Sequence, residues 1–165
     1  MMQGEIPRPQ NLFIIFLTII VAFLLDAMPL PDALALVRPE WVYMVILYWV
    51  LVLPYRVGIG AAWVTGLMLD VLEGTLLGMQ ALTLSLTAYL GLILYQRLKL
   101  YPLLQQSLVV FIILGLHLVV CHWIQGLVGV VSKGYLYLLP ALVSAILWAP
   151  ASIIMHGLHR AFRVQ

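Results

Sequence analysis

Six apolar blocks divide the 165-residue chain, at 11–28, 41–53, 57–72, 76–95, 107–131 and 135–156. A helix crossing about 30 Å of hydrocarbon needs about 20 mostly apolar residues, so each block reads as a membrane-spanning helix. Pro29 and Pro31 close the first, since proline lacks an amide donor and disfavours helix in the residue before it. The second has 13 residues and rises only about 20 Å. It is expected to start at Pro39, with Glu40 near the positive end of the helix dipole. Its shortness is compatible with local thinning of the bilayer, with interfacial anchoring through Trp41 and Tyr55, or with screening from lipid by neighbouring helices. Only Glu73, Gly74 and Thr75 separate the third and fourth blocks, which predicts a tight hairpin or a broken helix. The pattern gives an all-α, polytopic membrane protein, with residues 1–165 forming one domain of six transmembrane helices.

Composition agrees: 65% of the residues are hydrophobic and 8% charged, with a mean hydropathy of +1.13. Fourteen charges cannot cover a soluble globule of this size without large apolar patches. A net charge of +2 and one cysteine exclude a nucleic-acid binder and a disulfide-stapled module, and the gaps between blocks are too short for a soluble catalytic domain. Placing the charges on six alternating spans sharpens the topology. Arg8, Arg56, Arg97, Lys99, Arg160 and Arg163 fall on one side, leaving Arg38 and Lys133 on the other with Asp26, Asp32, Glu40, Asp70 and Glu73; of the acids, Glu5 alone joins the basic side. The positive-inside rule then puts both termini in the cytoplasm, and an odd number of spans destroys the segregation. Arg8 before an apolar run and Ala33-Leu34-Ala35 after it resemble a signal peptide, but the intervening prolines and aspartates favour a retained span.

Small residues recur every fourth position at Gly58, Ala62 and Gly66, then Asp70, then Gly74 and Gly78. Up to Asp70 they form one slanting groove that a second helix can approach closely, so these six positions are the candidate helix-packing or partner groove. Beyond Asp70 the ladder crosses the expected break, where the next helix starts with free amide donors. Asp70 is expected to accept hydrogen bonds from those amides; ligand or proton handling is the alternative. Arg38, Pro39 and Trp41 form a candidate outer-loop anchor, either at headgroup level or through pairing of Arg38 with Asp26, Asp32 or Asp70.

His117 and His122 lie five apart, about 140° around a helix, which argues against a shared metal. Cys121, mid-span, reads as a small packing residue, and His156 and His159 as interfacial charge. Pro140, Ser144, Trp148, Ser152 and His156 form a slanting semipolar stripe on the sixth span. Pro150 should free a carbonyl near position 146 for a neighbour or for Ser152. Gln125, Ser144 and Trp148 are candidate cavity-lining residues. The sequence has no His-Glu-x-x-His, no Gly-x-Ser-x-Gly, no phosphate loop and no mid-membrane aspartate dyad, so no catalytic residue, metal site or cofactor is expected.

The order Arg38-Pro39-Glu40-Trp41, a Tyr- and Trp-rich short span, Leu53-Pro54-Tyr55-Arg56, and Gly66-Leu-Met-Leu-Asp70-Val-Leu-Glu-Gly74-Thr-Leu-Leu-Gly78 resembles the rod shape-determining protein MreD family of Gram-negative bacteria. The resemblance extends from about position 12 to the C-terminal end. It implies a non-enzymatic inner-membrane component of the machinery that builds lateral peptidoglycan. Implied partners are MreC, which has one membrane helix and a periplasmic domain, and, in the wider complex, MreB, RodZ, RodA and the elongation-specific transpeptidase. It also implies a six-helix fold similar to the substrate-binding components of energy-coupling-factor vitamin transporters. Two roles stay open at this point: a scaffold working through membrane helices, as partner-bound protein or homodimer, and a binder of lipid or a small molecule. Nucleic acid is not an expected partner.

Overall fold

The computed structural model of the chain describes residues 9–29, 31, 37–129 and 134–161. Glu5, Arg8, Asp32, Lys133, Arg163 and the Ala33-Leu34-Ala35 motif lie outside the described residues. Within them are six α-helices and no strand: α1 Pro9–Ala27, α2 Trp41–Val52, α3 Ile59–Glu73, α4 Met79–Leu98, α5 Leu103–Leu127 and α6 Leu139–Ala161, the last entered through a 3-10 turn at Tyr135–Leu138. By length and composition alone, Leu103–Leu127 and Leu136–Ala161 are long and apolar enough to cross a membrane, whereas the apolar part of α1, Leu12–Ala27, and α2 are shorter.

The short α2 is the central element. Of its 12 residues, nine are buried, among them Tyr43, Ile46, Leu47 and Trp49. It packs against α1, α4 and α6, and α4 in turn joins α3 and α5 to the bundle. Neighbouring helices therefore surround most of its length. It starts at Trp41, two residues later than Pro39, because Glu40 has a ψ of 73°, outside the helical range, and serves as the N-cap.

Other helix ends differ from the sequence reading for local reasons. Gly78 at φ 97° cannot continue a helix, so α4 begins at Met79 and the link from α3 is Gly74 to Gly78. At the other end of that link, Gly74 at φ 64° gives α3 a left-handed cap whose N–H donates to the Asp70 carbonyl. Pro102, extended at ψ 155°, starts α5 at Leu103, so its first turn takes in Gln105 and Gln106 ahead of the apolar block. In α6 the helix runs through Pro150, and the Ser152 hydroxyl donates to the Ala149 carbonyl at 2.9 Å instead of serving the carbonyl near 146.

The α3–α4 contact is the closest in the fold. A methyl group at Gly66 would lie 2.4 Å from the Cα of Ala81, so only glycine lets the two backbones meet there. The interior holds Trp49, Trp148, Tyr43, Leu69, Leu84 and Leu114, all nearly inaccessible. Burying one such side chain contributes about 1.5–3 kcal/mol relative to water. In a bilayer, however, the alternative surroundings are lipid, so close packing and hydrogen bonds become the discriminating terms.

Candidate functional site

Asp70 sits in the last turn of α3, and its carboxylate faces the start of α4. It accepts the N–H groups of Gly78 at 2.9 Å, Gln80 at 2.8 Å and Ala81 at 3.3 Å, and the Thr75 hydroxyl at 2.9 Å. The three amides belong to the N-cap, second and third positions of α4, which have no partner within their own helix. Asp70 thus caps the neighbouring helix, placing negative charge at its positive end. Of the small-residue ladder, Ala62, Gly66 and Asp70 are buried, and the occupant of that groove is the chain's own α4. Gly58, Gly74 and Gly78 have open space where a side chain would stand.

The outer-loop anchor is tied by a different carboxylate. Arg38 lies with Nε 3.9 Å from Asp26 at the end of α1, and Asp26 also accepts the N–H of Val42 at 3.2 Å. Asp70 is committed to the hairpin, and Asp32 lies outside the described residues, so Asp26 is the partner the structure places there. Pro39 accepts the N–H of Trp41 at 3.1 Å, and Trp41 is half-buried against a cleft.

Sequence reasoning missed a polar chain that links α3, α4, α2, α5 and α6. Glu73 accepts Gln80 Nε2 at 2.6 Å, the Gln80 side-chain oxygen accepts the Tyr43 hydroxyl at 2.7 Å, and that hydroxyl lies 2.7 Å from Thr83 Oγ1. The Tyr43 ring stacks on His117 with centroids 3.8 Å apart. His117 in turn places Nδ1 3.5 Å from Cys121 Sγ and Nε2 3.8 Å from Glu40. Glu40 donates its backbone N–H to Ser144 Oγ on α6 at 2.9 Å. Burial, with the negative charges of Asp26 and Glu73, pushes the Glu40 carboxyl up to about 8 against the pull of Arg38. The available signal was the stripe Gln80, Thr83 and Thr87 on one face of α4, polar residues that need partners in a membrane. Among the described residues no group of three or more His, Cys, Asp and Glu is placed to hold a metal ion.

A lateral cleft of about 990 Å³ opens between α1 and α6, with α2 as its floor. Trp148 and Ser152 line it, but neither Gln125 nor Ser144 does: Gln125 is half-buried elsewhere on α5, and Ser144 is turned to Glu40. Trp148 donates from Nε1 to Gln106 at 3.4 Å, Trp49 donates to Thr18 Oγ1 at 2.8 Å, and the Tyr48 hydroxyl lies 3.1 Å from His156 Nδ1.

These contacts define a small helical bundle, rich in apolar surface, whose buried polar groups bind its own helices to one another. The chain belongs to the rod shape-determining protein MreD family, whose model matches residues 8–157. It is 35% identical over 137 residues, covering 76% of this chain and 84% of the relative, to the rod shape-determining protein MreD of Haemophilus influenzae. No solved structure matches the chain.

Proposed function

We propose that this chain is a non-catalytic, six-span component of the bacterial inner membrane that binds MreC and helps organise lateral peptidoglycan synthesis. Membership of the family gives it a role in determining rod shape. The observation that carries the finer reading is the engagement of its polar side chains: Asp26, Tyr43, Asp70, Gln80 and Ser144 all bond within the chain. What such a bundle offers a partner in the membrane is apolar surface, and the single membrane helix of MreC matches it. α3 is held mainly through α4, and on the side away from that contact it exposes Val64, Met68 and Val71. The proposal assigns this face to MreC, with MreB, RodZ, RodA and the elongation-specific transpeptidase joined through the wider complex. Asp26, Glu40, Asp70 and Glu73 fall at helix ends on one side of the bundle and Arg56, Arg97, Lys99 and Arg160 at the opposite ends, which supports cytoplasmic termini. The likeness to energy-coupling-factor substrate-binding components stays part of the proposal.

The test is co-purification of the full chain with MreC from membranes in mild detergent. Joint Val64→Ala and Met68→Ala substitution should lower MreC yield several-fold while the chain itself extracts at the wild-type level. Unchanged yield overturns the assignment of this face; absence of MreC from the wild-type sample, even after cross-linking in membranes, overturns the binding itself. Self-cross-links through α3 in place of MreC make the occupant a second copy.

A second reading, a lipid-binding membrane protein, is favoured by the cleft. Thr18, Tyr48, Trp148 and Ser152 in its wall are each already hydrogen-bonded, so a polar vitamin-like ligand finds few groups to engage there.

A further inference from the structure

We propose that Glu40 and His117 form a proton-operated clasp: a proton held on the Glu40 carboxyl, facing a neutral His117, keeps the start of α2 closed on α5 and α6, and its loss lets the α5–α6 pair draw away. The clasp is a property of the bundle itself and rests on neither MreC nor lipid binding.

Geometry places both groups at the junction of α2, α5 and α6. Glu40 is the N-cap of α2, its backbone N–H donates to Ser144 Oγ of α6 at 2.9 Å, and its Oε2 lies 3.8 Å from Nε2 of His117 on α5. His117 is 2% exposed and its ring is stacked on Tyr43, so the imidazole has no path by which to turn to water and stays opposite the carboxyl. Its other nitrogen, Nδ1, is 3.5 Å from Cys121 Sγ.

Distance and charge decide where the proton sits. A charge-assisted N–H···O contact closes to about 2.7–2.9 Å. The 3.8 Å separation suits two neutral groups, a carboxylic acid and an imidazole. The tautomer that fits directs an Nδ1 proton at Cys121 Sγ and leaves the Nε2 lone pair toward the Glu40 O–H. Among the described residues, the other titratable or charged groups around Glu40 are Asp26 of α1, Arg38 before α2, Tyr43 of α2, Glu73 of α3 and Cys121 of α5. α6 offers it the Ser144 hydroxyl, and the first titratable residue of α4 is Tyr89. An ionised Glu40 would therefore meet two further carboxylates and one cation, Arg38, which already lies 3.9 Å from Asp26. Burial and those two acids hold the Glu40 carboxyl well above its ordinary range. Once the proton leaves, a carboxylate faces an imidazole lone pair, and parting of the helices admits the water that solvates it.

The test follows the full chain in phosphatidylcholine vesicles by infrared spectroscopy and by spin labels at Leu82→Cys on α4 and Leu142→Cys on α6, both exposed positions. A protonated-carboxyl band that the wild type has and Glu40→Gln lacks is expected at about pH 6 and gone by about pH 9. Over the same range the label separation should lengthen in the wild type and stay fixed in Glu40→Gln. His117→Phe keeps a ring for Tyr43 and removes the acceptor, so the band should titrate at lower pH; a merely structural histidine would leave its midpoint in place. Nitrogen NMR of the wild type should show His117 neutral with its proton on Nδ1, a reading that does not depend on the folding of any variant. Absence of the band, a band that titrates without a change in label separation, or a midpoint unmoved in His117→Phe overturns the clasp. So does a midpoint shifted to higher pH or an imidazolium at His117, either of which would put the proton on the histidine.

Discussion

Asp70 shows why one carboxylate is worth placing inside a membrane protein. Its four hydrogen bonds all come from donors, three of them amides at the start of α4 that lipid could not satisfy. Removing the acceptor strands those amides, and a buried unsatisfied donor costs about 1–3 kcal/mol. Asp70→Ala should therefore destabilise the protein by about 3 kcal/mol or more, seen as a lower melting temperature in detergent. Asp70→Asn keeps the size but turns an NH2 group toward donors, so it too should melt early. A role in ligand or proton handling would instead leave the melting temperature of Asp70→Asn near wild type.

At the scale of the element, the α3–α4 hairpin was legible from sequence because its determinants are local: a small-residue ladder, an aspartate and glycines at the break. What that pattern could not state was who fills the groove, since a ladder of small residues reads the same to a foreign helix as to the next one in the chain. Its link ran longer than expected because the φ of Gly78 is a backbone property that composition does not display. The partnerships of Tyr43 with Gln80 and of Glu40 with Ser144 span 37 and 104 positions, beyond any periodicity. Cleft residue Trp148 was on a recognised stripe, but Thr18 is the one polar residue that α1, the facing wall, contributes to the lining. The hairpin makes its own prediction. Gly66→Ala forces a methyl group into the Ala81 backbone, which cannot yield as a side chain would, so overpacking should cost about 1–3 kcal/mol. Gly58→Ala, a ladder position with open space, should leave thermal stability close to wild type. Equal melting of the two variants would mean that the backbones do not meet at Gly66.

Across the whole molecule, Glu40 is the point where separate helices converge. It caps α2, lies beside His117 of α5 and donates its N–H to Ser144 of α6, while Arg38 and Asp26 join α1 nearby. Its carboxyl is raised from 4.5 to about 8, with burial as the first cause, so the folded chain holds the proton more tightly than the unfolded chain. The sign follows: the stabilisation is complete below the unfolded value and is lost as pH climbs from about 4.5 through about 8. Glu40→Gln retains the backbone bond to Ser144 and carries no charge at any pH. It should melt with the wild type at pH 4 and several degrees above it at pH 8, at about 2–4 °C for each kcal/mol in a chain of this length. Parallel melting curves of the two proteins across that range would mean that Glu40 titrates like a solvated carboxylate and that the junction around it is open to water.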